Sequence, residues 1–129
     1  MFIFVLLLAL IAPSSVFANE SRDVEIYGPG EWDFKGQENV NFAIIKETVS
    51  DSFIATDGGN FKIDLTSSFD SSNYVQATIY INGNQGVTKG TQVSNYKGTI
   101  EFSGIPTGAS VFFYIEVANS DTFNFKFYD

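Results

Sequence analysis

The sequence predicts an all-β fold: a single antiparallel β-sandwich of about eight short strands, jelly-roll or Ig-like, behind a cleavable signal peptide. Three observations carry that expectation. Apolar residues recur at every second position through most of the chain, Gly-, Asn- and Asp-rich segments separate the alternating runs, and an apolar stretch opens the sequence.

The opening stretch, Phe2 to Ala12, is almost wholly apolar and is broken by Pro13-Ser14-Ser15. Val16-Phe17-Ala18 then sets small or modest residues three before and one before a cut after Ala18, the layout of a secretory cleavage site. The apolar run is about eleven residues, short of the roughly twenty that a spanning helix needs. Only the terminal amine supplies positive charge there, and the competing reading is a buried N-terminal strand or helix. Residues 1–18 are therefore expected to be a signal peptide and residues 19–129 one secreted, extracellular domain with no transmembrane anchor. A domain of this length can bury a core unaided. It has to, because the sequence contains no cysteine. That absence also excludes an acylated lipoprotein and suits a bacterial secreted protein.

The net charge is −8, with Arg22 and the lysines scattered and nowhere clustered. Such acidity favours solubility and repels nucleic acid and anionic membrane surfaces, so a nucleic-acid partner is excluded.

Val24–Tyr27 reads as a first short strand ended by Gly28-Pro29-Gly30. Val40, Phe42 and Ile44 alternate with polar neighbours, as do Phe61, Ile63 and Leu65, then Val75, Ala77, Ile79 and Ile81. Ile100 and Phe102 continue the pattern, followed by Val111, Phe113, Ile115 and Val117, and by Phe123, Phe125 and Phe127. Period-two alternation marks sheets with one face buried and one wet. Asp57-Gly58-Gly59-Asn60 is expected to close a hairpin between Phe53–Ala55 and Phe61–Leu65. Asn82-Gly83-Asn84-Gln85-Gly86, Gly104-Ile105-Pro106-Thr107-Gly108 and Asn119-Ser120-Asp121 supply further turns. Matching apolar faces suggests a register at the C-terminal end. Phe102 would face Val111 and Ile100 face Phe113 on paired strands, while Val117, Ile115 and Phe113 would face Phe123, Phe125 and Phe127. The outward set is then Thr99, Glu101, Phe112, Tyr114, Glu116, Asn124, Lys126 and Tyr128, with Tyr74 and Tyr80 on the polar face of their own strand.

No histidine is present, which excludes His-based triads and imidazole metal ligands, and the lack of cysteine excludes thiol catalysis and the usual zinc sites. No phosphate loop or dinucleotide fingerprint occurs. Paired carboxylates are the conventional catalytic option left. Glu101 and Glu116 are placed by the register on one face, Glu116 opposite Lys97 and Glu101 opposite Phe112, and the plainer reading is a solvated surface. Asp57-Gly58-Gly59-Asn60 with Asp64, and Asp70-Ser71-Ser72-Asn73, gather oxygen ligands for calcium, although the same residues are ordinary turn formers. No other cofactor is expected.

The outward aromatics offer the best candidate site. Phe112, Tyr114 and Tyr128 on one sheet face could form a flat stacking platform for sugar rings or an apolar partner surface, and Tyr74 and Tyr80 are further candidate ligand contacts. The alternatives are a cover from a loop, the N-terminal segment or a dimer partner, or a central strand buried on both faces. Trp32, in Glu31-Trp32-Asp33-Phe34, is read as a cap on one end of the core. Asn19-Glu20-Ser21 fits a glycosylation sequon that abuts the expected cut.

Ala77-Thr78-Ile79-Tyr80-Ile81-Asn82-Gly83, followed by Gly104-Ile105-Pro106-Thr107-Gly108 running into Val111–Val117, resembles bacterial pre-peptidase C-terminal domains. Those are small secreted β-sandwiches in which a Gly turn leads into an aromatic-rich strand and a final hairpin closes the sheet. The likeness covers the C-terminal half. The chain departs from the family in having no attached catalytic domain and in reading Ala109-Ser110-Val111-Phe112 where a tyrosine usually follows the turn. The resemblance implies a sandwich and a non-catalytic role, in secretion or in binding extracellular polymers, and carries over no site residues.

The expected function is thus a secreted, non-catalytic module that binds an extracellular polysaccharide or protein. A matrix or surface protein that self-associates through a sheet edge or apolar patch is the alternative, and a small paired-carboxylate hydrolase ranks third. The oligomeric state does not follow from the residues.

Overall fold

A computed structural model describes residues 32–56, 59–69 and 72–129. The expected signal peptide, the Val24–Tyr27 strand and the Gly28-Pro29-Gly30 turn lie outside the described residues.

Among the described residues nine strands follow one another, all within the compact unit Phe34–Asp129: β1 (Phe34–Phe42), β2 (Glu47–Val49), β3 (Phe53–Ile54), β4 (Gly59–Ser67), β5 (Tyr74–Ile81), β6 (Asn84–Gln92), β7 (Lys97–Ile105), β8 (Ser110–Val117) and β9 (Asp121–Tyr128). No helix occurs among the described residues. One sheet runs β1-β9-β4-β7 and the other β2-β8-β5-β6, with β3 also on β8. All pairings are antiparallel. Since β2 and β3 both line the same edge of β8, they form one interrupted edge strand. Counted so, the chain order is 1-8-3-6 against 2-7-4-5, the double Greek key of a jelly roll.

The alternating residues meet in the core as the sequence predicts. Phe61, Ile63, Leu65, Ile100, Phe102, Phe123, Phe125 and Phe127 from one sheet and Val75, Ala77, Ile79, Val111, Phe113 and Ile115 from the other are almost fully buried. The Phe113 ring lies at the centre, 5.3 Å from Phe61, 5.3 Å from Phe102 and 5.6 Å from Phe127, so one β8 side chain ties three strands of the opposite sheet. Truncating it would cost about 3–5 kcal/mol.

Four expectations need correcting. The C-terminal register is not formed, because β8 lies in one sheet while β7 and β9 lie in the other. Phe113 does meet Phe127 and Phe102, but across the core rather than as a ladder neighbour. Alternation decides which way a side chain faces and leaves its backbone partner open. The Phe53–Ala55 segment makes no hairpin with Phe61–Leu65, since β3 pairs with β8 and the connection crosses between sheets. Ile44 does not continue the inward set, because β1 ends at Phe42 and Ile44 stands 91% exposed in the following loop. Finally, Asn84-Gln85-Gly86 belongs to strand β6, and the turn is the two-residue Asn82-Gly83, with φ of 52° and 83°.

Candidate functional site

The jelly-roll order separates the outward aromatics. Tyr74, Tyr80, Phe112 and Tyr114 stand on the outer face of the β2-β8-β5-β6 sheet, whereas Tyr128 stands on the outer face of the other. The expected platform of Phe112, Tyr114 and Tyr128 on one face does not form, because Tyr128 stands on the other sheet. Tyr80 and Phe112 are cross-strand neighbours with ring centroids 4.7 Å apart and planes 6° apart. Two rings lying side by side in one plane cannot come so close, so this pair is stacked face to face and turns its rims outward. Tyr114 donates its hydroxyl to the Glu47 carboxylate. That bond, assisted by burial and by the charges of Glu116 and Glu47, pushes its pKa up to about 12. Tyr74 covers the backbone of Gly90 on β6, where a Cβ would collide with its phenol. Beside these rings Val49 and Ile54 are more than half exposed.

Glu101 and Glu116 are separated in the same way. Glu101 sits opposite Lys62 on the outer face of one sheet, and Glu116 sits between Glu47 and Gln76 on the other. They cannot act on one bond, and Glu116 has no lysine opposite it.

The outer face of the β1-β9-β4-β7 sheet holds an open groove of about 340 Å³. Its walls come from three adjacent strands: Asp64 and Thr66 from β4, Lys97 and Thr99 from β7, and Asn124, Lys126 and Tyr128 from β9. In-register pairing puts Lys62 opposite Tyr128, Asp64 opposite Lys126 and Thr99, and Thr66 opposite Asn124 and Lys97. Hydrogen bonds hold the polar groups in place. Thr99 Oγ1 donates to Asp64 Oδ1 at 2.8 Å, Asn124 Nδ2 donates to Asn39 Oδ1 at 2.8 Å, and Lys62 Nζ lies 3.7 Å from Asp64 Oδ2. The Tyr128 ring packs edge-on to Phe34 at 5.6 Å and carries Lys62 Nζ 5.1 Å from its centroid. Burial, and then the Asp64 charge, raises the Tyr128 pKa, so its hydroxyl remains a neutral donor at physiological pH. Of the five aromatics, Tyr128 is the one that lines this groove. Its neighbours Asp64, Thr66, Thr99 and Asn124 were readable as outward positions, but their convergence depends on the β7-β4-β9 order.

Asp57, Gly58, Asp70 and Ser71, among the oxygen ligands read for calcium, fall beyond the part of the chain that the structure describes. Asp64 is engaged by Thr99 and Lys62, and Asn73 by Asn119. Among the described residues no group of three acidic side chains converges on one point. Trp32 is half-buried.

No protein-family model matches the chain, and no curated protein is significantly similar to it in sequence.

Proposed function

We propose that this is a secreted, non-catalytic jelly-roll protein that binds an extracellular carbohydrate in the groove of the β1-β9-β4-β7 sheet. The observation that carries the reading is the placement of Tyr128 beside Asp64, Thr66, Thr99, Asn124 and Lys126. A sugar presents an apolar ring face and a rim of hydroxyls, and such sites pair one aromatic surface with a few fixed donors and acceptors. The groove supplies both. It carries a single carboxylate, Asp64, whereas glycoside hydrolysis ordinarily uses two, which supports binding over cleavage. Sheet-based sugar binding also suits a fold that serves lectins, and the pre-peptidase resemblance points the same way. The secretory reading rests on Phe2–Ala12 and Val16-Phe17-Ala18, and sequencing of the exported protein is expected to begin at Asn19.

A glycan array followed by NMR titration tests the binding. A bound oligosaccharide is expected to shift Thr99, Asn124 and Tyr128 resonances and to leave Tyr80 and Phe112 unmoved. Tyr128→Ala should weaken it by about tenfold or more, the loss of one stacked ring. Asn124→Ala should weaken it without disturbing the fold. Shifts confined to the Tyr80–Phe112 face would discard the groove.

A further inference from the structure

The two ends of the sandwich differ. At one end the β1–β2, β4–β5, β6–β7 and β8–β9 connections lie together, joined by Ser120 Oγ donating to the Ala43 carbonyl, Ser68 N to the Thr122 carbonyl at 3.0 Å and Ser67 N to the Tyr96 carbonyl at 2.8 Å. This end carries Ile44, Ile45, Phe69 and Tyr96, exposed by 91, 70, 58 and 46%. The described tips at the other end are Asn82-Gly83 and Pro106-Thr107-Gly108, which carry no exposed large apolar side chain.

We propose that this loop end inserts into the interface of a zwitterionic lipid bilayer. A side chain as exposed as Ile44 touches almost nothing of its own protein, so a partner would have to surround it. Fluid acyl chains can do that for separate projections from different loops, whereas a rigid protein surface needs one contiguous, complementary patch. Two of the projections have a cation immediately after them, Ile45 before Lys46 and Tyr96 before Lys97. That order places an ammonium at the depth of lipid phosphates while the apolar group enters the chains, and tyrosine is itself favoured at that level. The net charge of −8 directs the choice toward a bilayer without net surface charge.

Backbone strain at Tyr96 is independent support. Ser94 and Lys97 exchange both backbone hydrogen bonds around Asn95-Tyr96, whose φ values are 53° and 66°. The second position of such a turn is ordinarily glycine, and Asn82-Gly83 at the opposite end obeys that rule. A tyrosine held left-handed at this tip is strained where a glycine would not be. The end is also a firm base for its projections. Buried Asn73 accepts from Asn119 N at 3.0 Å and donates to the Asn119 carbonyl at 3.1 Å, joining the β4–β5 and β8–β9 loops.

Flotation of the protein with phosphatidylcholine vesicles tests the proposal. Binding is expected to fall by about tenfold or more in the Ile44→Ser/Ile45→Ser double variant, with the circular dichroism spectrum unchanged. Tyr96→Gly separates the roles of fold and surface: it should raise the melting temperature and lower vesicle binding. Because the chain has no cysteine, Ile45→Cys can carry an environment-sensitive dye whose emission should shift to the blue on adding vesicles. The same dye on Thr107→Cys should not respond. At low salt, vesicles rich in phosphatidylserine should bind less than phosphatidylcholine alone. Absence of vesicle binding, binding that survives the double variant, or a blue shift at position 107 would each overturn the proposal. Concentration-dependent self-association removed by the same double variant, without vesicle binding, would assign the surface to a second copy instead.

Discussion

Ser50 occupies the break between β2 and β3, and one hydroxyl there does the work of a missing ladder carbonyl. Its backbone N donates to the Phe113 carbonyl at 2.9 Å, while its Oγ accepts from Phe113 N at 2.9 Å and donates to the Asp51 carbonyl at 2.8 Å. Ser50→Ala would leave the Phe113 N–H without that acceptor beside the central core ring. The expected loss is about 1–3 kcal/mol in chemical denaturation, far above the effect of a typical surface serine. Tyr114 supplies a titration at the same edge. Its hydroxyl stays protonated to about pH 12 because Glu47 holds the proton and nearby charges oppose a phenolate. The folded pKa exceeds the unfolded value near 10, so the stability from this contact is present below pH 10. It is lost as the pH rises from 10 through 12. Ultraviolet titration should find Tyr114 and Tyr128 ionising late in the wild type, and Glu47→Gln should bring Tyr114 alone back toward 10.

At the scale of the element, the β5–β6 hairpin and strand β6 show what the residues could and could not specify. Asn82-Gly83 between alternating segments is a strong turn signal, and both residues adopt positive φ. Nothing lies within 4 Å of a Cβ added at Gly83, so Gly83→Ala tests backbone conformation alone. About 1 kcal/mol should be lost, read as a shift in denaturation midpoint with an unchanged slope. Strand β6 itself had no legible pattern, because every residue but Thr91 is exposed and no buried face imposes alternation. The inward positions of β4, β5, β7, β8 and β9 were legible for the opposite reason. Strand neighbours were not, since any inward Phe satisfies the same hydrophobic demand against several partners. That ambiguity scattered the candidate site as well. Tyr128 was recognisable as an outward ring, but a β8–β9 pairing would have put it among Phe112 and Tyr114. The β4–β9 pairing places it among Asp64, Thr66 and Asn124.

Across the whole molecule, the interruptions of the ladders fall in one class of strand. β1 carries Lys35 as an extra residue between Phe34 and Gly36, and β7 carries Gly104 between Ser103 and Ile105. β6 sets three steps against two of β5 between Thr88 and Gln85, and the β2/β3 strand gains one residue around Ser50. These four are the edges of the two sheets, whereas the central β4–β9 and β5–β8 pairings run without a shift. Extra residues kink a strand and spoil its free side as a template for another chain. Assembly through a sheet edge, one route to a self-associating matrix protein, is therefore disfavoured. The protein should sediment as a monomer over a wide concentration range in the absence of lipid. Deleting Gly104 tests the cause. Phe102 and Ile105 would still face inward and Ser103 outward, so the core pattern survives while the β7 edge straightens. The deletion variant is expected to fold and to sediment as larger species as concentration rises. A wild-type protein that pairs edge to edge, or a straightened variant that stays monomeric, would show that the bulges do not guard the edges.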